Sequence, residues 1–245
     1  MSAIIFDTET TGITEPRVIE AAWFEVTPQL TVVSKFCQRY DPQKPIEFGA
    51  LAIHHIMDED LAGMPAYTDF KLPDECEYII GHNVDYDWGL IGKPDVKRIC
   101  VLALCRYLWP QLDSHSLSAM LYFVNRRKAR EQLKAAHSAE VDVMNCMRIL
   151  WRVLSVINDP DKTKSWEQIW AISEKARIPT VLSFGKHKGM ALKDLPADYK
   201  HWLLGQPWVD PYLAKALREI EELRWTLHPQ GQRWEKTKTW AHATA

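Results

Sequence analysis

The stretch "IIFDTETTGI", residues 4–13, decides the fold. Ile4, Ile5 and Phe6 make a short apolar run that ends on Asp7, and the chain then turns on Thr10, Thr11 and Gly12. Side chains two apart on a strand point to the same face, so Asp7 and Glu9 share one side of a strand at its end. A solvated acidic turn and a metal site both fit such a pair. Acids elsewhere in the chain, at matching spacing, separate the two.

Working outward, "VIEAAWFEV" (18–26) and "LTVVSKFCQRY" (30–40) are β-rich runs split by "TPQ". They predict a hairpin and, with the first strand, an antiparallel three-strand meander. "GALAIHHIMDEDLA" (49–62) reads as a short helix with its surroundings, and "EYIIGH" (77–82) as a second short buried strand. A helical segment follows at 84–92, then a strand in "KRICV" (97–101), then helices at 101–109, 114–124 and 138–157. In the last, Val143, Met147, Leu150 and Leu154 recur at helical spacing. Strands followed by mixed strand–helix units predict an α/β domain, a mixed sheet flanked by helices, over residues 1–157.

"NDPDKTKS" (158–165) is polar, contains a proline and lacks aliphatics, so it reads as a linker. A small α+β module is expected over 166–226, with a helix at 166–177, a turn "FGKHKG" and helices near 197–204 and 210–225. Residues 227–245 read as a loose polar tail.

The length of 245 residues is enough for a sizeable core, and 47% hydrophobic with 25% charged residues is ordinary for a globular protein. The net charge of −2 hides a division. Residues 1–159 carry a net −6 and residues 160–245 a net +4, which suits an acidic site beside a phosphate-binding region. Five cysteines without a CxxC pair argue against a disulfide framework or a thiolate zinc site, and for a reducing, cytoplasmic location. The N-terminus lacks the basic region of a signal peptide, and "CMRILWRVLSVI" is too short and too charged to span a bilayer, so no membrane role is expected. Eight of the eleven tryptophans fall in the last hundred residues. They read as core and interface packing, with a protein partner through this C-terminal part as a further expectation.

Two more acidic clusters answer the first. "GHNVDYD" (81–87) offers Asp85 and Asp87, which do not share a helix face, so one of them joins a site; spacing alone does not say which. "HSAEVD" (137–142) opens the long helix with Ser138 as N-cap. His137 lies just before it and Asp142 in its early turns, leaning back toward the N-terminus. Glu140 points elsewhere.

The order Asp-x-Glu-Thr-Thr-Gly, His-Asn-x-x-Tyr-Asp, His-x-x-x-x-Asp resembles the three motifs of the DnaQ-like (DEDDh) 3′→5′ exonucleases, which have a ribonuclease H-like fold. The resemblance implies Asp7, Glu9, Asp87 and Asp142 as metal-binding acids and His137 as general base. The related subclass with a catalytic Tyr places it four residues before the last acid; Ser138 stands there, which favours the His subclass. Tyr86 stands where the family often has Phe. "AIHHIMDEDL" resembles a segment near the substrate's terminal nucleotide and carries His54 and Ile56 over as contacts. The resemblance also implies Thr10, Thr11, Gly12, His82 and Asn83 as substrate-binding residues, with Ile13 against the terminal base. "FGKHKGMALKDLPADYKHWLL" (184–204) and "RYLWP" (106–110) resemble segments of one branch of the family that carries a small C-terminal module.

Phosphodiester hydrolysis needs an activated water, a polarised phosphorus and a stabilised leaving oxygen, and two divalent ions about 3.5–4 Å apart meet all three needs. Four acids without a basic partner suggest such ions: two Mg²⁺, with Mn²⁺ as a substitute. A His near neutral pKa can take the water's proton. The expectation is an exonuclease acting on DNA 3′ ends, single-stranded or frayed, with release of nucleoside 5′-monophosphates. An RNA-directed exoribonuclease is the first alternative, because no residue reports on the 2′-hydroxyl. A non-catalytic nucleic-acid-binding or scaffold module is the second. Arg126 and Arg127, in a loop read from "NRRKAR", and Lys186 and Lys188, in "FGKHKG", are candidate nucleic-acid contacts.

Overall fold

A computed structural model describes residues 2–134, 137–158 and 162–226, the side chains of the last helix as far as 221. Two compact units divide the chain after Arg177.

The first unit is built on a five-stranded mixed sheet of order β3-β2-β1-β4-β5. β1 (Ser2–Thr10), β2 (Val18–Val26) and β3 (Val32–Arg39) form the antiparallel meander. β4 (Cys76–Gly81) and β5 (Lys97–Cys100) extend it in parallel. Alternation along β1 sends Ala3 and Ile5 to one face and Ile4 and Phe6 to the other, each into its own apolar cluster. Asp7 and Glu9 continue the Ile5 face.

Helices cover that face: α3 (Val101–Leu108), α4 (Leu117–Gln132), α5 (Ala139–Ile157) and α6 (Trp166–Arg177). α5 buries Ala139, Val143, Cys146, Ile149, Leu150 and Val153, an apolar stripe at helical period, against it. The short α1 (Phe48–His54) and α2 (Asp85–Leu90) complete the elements around the acidic strand end. The other face carries a ring cluster in which Phe6 stacks on Phe70 and Trp23 on Phe36, both with centroids 5.5 Å apart.

The second unit contains α7 (Ala197–Leu204) and α8 (Pro211–Thr226), with a bridge between Val181 and Ala191 that closes the turn after Leu182. Leu182, Leu192, Leu195, Leu203, Leu213 and Leu217 are its buried centre.

Two departures from the sequence reading have plain causes. Residues 166–177 do not open the small module. Trp166 and Ile169 are buried in the first unit's core, the Cys100 N–H donates to Ser173 Oγ at 2.9 Å, and Arg177 reaches Asp85 at 2.6 Å. The polar stretch 158–165 is therefore a connection within the first unit, and the division falls at 177/178. Second, "NRRKAR" is helical from Arg126 on. α4 runs on to Gln132 across a break at Asn125 (φ −152°, ψ 80°), where Asn125 Oδ1 accepts the N–H of Lys128 and restarts the helix. The tail 227–245 lies outside the described residues. Among those described, no helix is long and apolar enough to cross a membrane, and none of the five cysteines is paired.

Candidate active site

The acids meet where β1 ends. Glu9 stands opposite Glu20 of β2, and the register shifts between it and Thr10, a bulge that bends the strand's last residues. Asp87 arrives from α2. Asn83, at φ +77°, takes a left-handed conformation that Asn tolerates, and this turns the chain from β4 into α2. Thr8 then anchors Asp87: its hydroxyl donates to Asp87 Oδ1 at 2.6 Å and its N–H at 3.1 Å. Of the two motif acids, Asp87 is the one buried beside β1. Asp85 points away and pairs with Arg98 and Arg177.

Asp142 and His137 come from the start of α5. The His137 N–H donates to Asp142 Oδ2 at 3.2 Å, and Asn145 Nδ2 donates to the other oxygen at 3.3 Å. His137 is exposed and holds φ +69°, a costly conformation for a side chain other than Gly or Asn. Ser138 is not the side-chain cap expected of it. Its hydroxyl donates to Glu20 at 3.2 Å, and Glu20 Oε1 also accepts the Ala139 N–H at 2.9 Å. The cap is supplied from β2.

One donor atom each from Glu9, His137 and Asp142 lie within 4.8 Å of one another, a span one cation can bridge. The electrostatics say the same. Burial pushes the Asp7 carboxyl well up, and the charges of Asp87, Asp142, Glu9 and Glu20 push it further. Burial, then Asp142, Glu20 and Asp87, push Glu9 up to about 8. Asp87 rises to about 7 through burial, against the pull of the Thr8 hydroxyl. Asp142 is raised by burial and partly relieved by the His137 N–H. Carboxylates crowded this way hold protons unless a cation takes their place. Hard oxygen donors suit Mg²⁺ or Mn²⁺, so the residues fit the metals the sequence implies.

The loop after β1 is held by Glu47, whose carboxylate accepts the N–H groups of Ile13 at 3.0 Å and Thr14 at 2.9 Å. Those two backbone donors are therefore engaged within the loop. Gly12 has φ +143°, and a Cβ there meets the Glu47 carboxyl carbon at 2.2 Å. Thr11 is fully buried: its N–H donates to the Arg17 carbonyl and its Oγ1 accepts the Arg17 N–H. It pins the loop. Thr10 Oγ1 lies 3.4 Å from the Tyr86 hydroxyl, and Ile13 is 91% exposed, open to a flat partner.

His54 Nδ1 accepts the Ile56 N–H at 3.0 Å, which leaves Nε2 to donate to the Thr10 carbonyl at 3.2 Å. Both nitrogens serve the backbone, and His54 ties α1 to the end of β1. Ile56 is buried with Ile19, Ile46 and Leu61 and offers no surface to a substrate. His82 Nε2 bonds the His115 carbonyl at 2.8 Å, and burial pushes its pKa down to about 4, so the ring is neutral. Arg126, Arg127 and Arg130 line a cleft of about 740 Å³ with Tyr122 and Phe123. Lys186 and Lys188 are exposed in the second unit.

Sequence reasoning missed Glu20, Thr8 and Glu47. Glu20 did leave a signal, a lone acid inside the apolar run 18–24. Thr8 and Glu47 left none, because their roles depend on residues 79 and about 34 positions away.

No family model matches the chain. Exodeoxyribonuclease 10 of Escherichia coli K12 is 27% identical over 206 residues, covering 81% of this chain and 89% of that protein. The chain is similar to the DnaQ-like exonucleases. The DNA polymerase III epsilon subunit of Buchnera aphidicola, 28% identical over 164 residues, covers 57% of this chain and 68% of its own length. Among solved structures, exonuclease X in complex with 5′-overhanging duplex DNA superposes with a TM-score of 0.55 at 24% identity, over 69% of this chain and 99% of that one. The Escherichia coli ExoI–ssDNA complex gives 0.52 at 18%, over 64% and 41%. These likenesses give the ribonuclease H-like fold, a mixed sheet flanked by helices.

Proposed function

We propose that the chain is a metal-dependent 3′→5′ exonuclease that hydrolyses DNA and releases nucleoside 5′-monophosphates. The observation that carries this reading is the meeting of Asp7, Glu9, Asp87, Asp142 and His137 at one strand end, with the acids' pKa values driven up by burial and, at Asp7 and Glu9, by the neighbouring carboxylates as well. The named relative of near full length is an exodeoxyribonuclease.

Asp7, Glu9, Asp87 and Asp142 would hold two divalent cations, Mg²⁺ or Mn²⁺, which supply the positive charge that the cleaved phosphodiester and its leaving 3′-oxygen require. His137, exposed beside Glu9 and Asp142, accepts the proton of the attacking water. Thr8 and Asn145 fix Asp87 and Asp142, so the acids do not have to reorganise during reaction. Ile13, Thr10 and Tyr86 form the surface for the terminal nucleotide, on a loop that Thr11, Gly12, Glu47 and His54 keep in shape, with His82 and Asn83 shaping the turn that delivers Asp87. The enzyme works in the cytoplasm on single-stranded or frayed 3′ ends.

Asp7→Asn and Asp142→Asn test the assignment. Each should lower nuclease activity by at least about 10³-fold while the fold, read by circular dichroism, is kept. Activity that survives both substitutions contradicts it. Matched DNA and RNA oligomers degraded side by side read the substrate class.

A further inference from the structure

The second unit carries two exposed tryptophans, Trp202 and Trp208, within a row of half-buried rings. Five rings form one unbroken series. Phe184 meets Trp208 edge-on with centroids 5.8 Å apart, Trp208 meets Trp202 at 6.0 Å, Trp202 meets Tyr199 at 5.3 Å, and Tyr199 meets His187 at 4.6 Å. Phe184 and Tyr199 pack in part against the unit's buried leucines, whereas Trp202 and Trp208 are not among the residues packed there. Trp202 and Trp208 stand 48% and 57% exposed.

Positive charge sits at one end of the series. Lys186 Nζ lies over the Tyr199 ring, 5.3 Å from its centroid. Residues 180–193 carry Lys186, Lys188 and Lys193 and no acid, and none of the three makes an ion pair among the described residues. The turn is fixed against the rings: Gly185 adopts φ +68°, and a Cβ there lies 3.0 Å from the Tyr199 hydroxyl.

Half-exposed indoles beside unpaired lysines match a ligand with flat π-faces and a negative backbone. Single-stranded nucleic acid has both, whereas a duplex keeps its base faces stacked inside. An apolar protein surface would satisfy the indoles and leave the lysines unmatched. We propose that Trp202 and Trp208, with Lys186 and Lys188, form a second grip on single-stranded DNA, in which bases stack on the indoles and the lysines neutralise phosphates. The choice of DNA rests on the function proposed above; the stacking surface itself does not.

The test uses the full chain in EDTA, so that no strand is cut, and the anisotropy of a labelled dT20. Trp202→Ala/Trp208→Ala should weaken binding about 10-fold or more, and Trp202→Phe/Trp208→Phe should retain most of it, since Phe keeps a stacking face. Lys186→Ala/Lys188→Ala should flatten the dependence of log affinity on log salt by about 1.4, at about 0.7 per phosphate of a single strand. Hydrolysis of thymidine 5′-(p-nitrophenyl phosphate), a substrate too small to span the grip, should be unchanged in both tryptophan variants. If wild type fails to hydrolyse that ester and yet binds dT20 through the tryptophans, the nuclease reading falls and the grip stands. The grip is overturned if the folded Ala pair binds dT20 like wild type, or if an abasic strand of equal length binds as tightly. Binding of rU20 at least ten-fold tighter overturns the choice of DNA.

Discussion

Glu20 Oε1 accepts the N–H of Ala139 at 2.9 Å, so an acid of strand β2 caps the helix that carries Asp142. Arg39 holds the other oxygen at 2.9 Å. The helix start has no side-chain cap of its own, and a negative charge there also suits its dipole. Glu20 thereby couples the meander to the position of His137 and Asp142. Glu20→Ala should cost about 1–2 kcal/mol of stability and lower kcat, while Glu20→Gln, which keeps an acceptor, should cost less. Thermal melts and single-turnover rates check both. A Glu20→Ala protein that melts and turns over like wild type contradicts the coupling.

Proton linkage gives the second prediction. The folded Glu9 and Asp87 carboxyls, at about 8 and about 7, keep protons that their unfolded counterparts release near 4.5 and 3.8. Over that window the folded state binds more protons, so stability without metal falls as pH rises from about 4 to about 8. A divalent cation reverses this, because it binds the deprotonated acids. Melting in EDTA should therefore drop between about pH 5 and pH 8, and the rise on adding Mg²⁺ should be larger at pH 8 than at pH 6. An equal rise at both pH values would count against four acids sharing one metal centre.

Gly12 is the loop position least able to accept a side chain. Its φ of +143° and the Glu47 carboxyl carbon 2.2 Å from a built Cβ act together. Gly12→Ala should destabilise by about 1–3 kcal/mol through the backbone alone, and should raise KM more than it lowers kcat, because the loop meets the nucleotide and the acids do not move. Adding Glu47→Ala should relieve the collision but leave the backbone strain and remove the carboxylate that holds the Ile13 and Thr14 N–H groups, so KM recovers only in part. Full recovery would mean that neither the φ angle nor the Glu47 bonds carry a cost.

Lys200 is 1% exposed, and among the described residues its Nζ has no hydrogen-bond partner. A buried ammonium without a partner is a net loss, so Lys200→Met, of similar length and apolar, should raise stability by about 1–2 kcal/mol. A lower melting temperature would show that the ammonium has a role in the fold.

The meander and its acids were legible because period-two alternation and the Asp-x-Glu spacing are local. β2 (Val18–Val26) lies where its run predicts it. The boundary at 158–165 misled because a polar, proline-containing stretch looks the same within a unit as between units; only the burial of Trp166 and Ile169 separates the cases. The helical "NRRKAR" was hidden by Asn125, which breaks the helix and caps its continuation at once. His54 and Ile56 carried over as substrate contacts, yet their bonds and burial serve the α1 corner.

These acids and His137 are proposed to cut a strand from its 3′ end when a divalent cation is present. The most direct measurement is a time course on a single-stranded DNA oligomer labelled at its 5′ end and, separately, at its 3′ end, with Mg²⁺ and with EDTA. Such an enzyme gives a ladder of progressively shorter 5′-labelled products, immediate release of the 3′ label as a mononucleotide, and neither in EDTA. Intact oligomer in Mg²⁺ and in Mn²⁺, from protein shown to be folded, would contradict it.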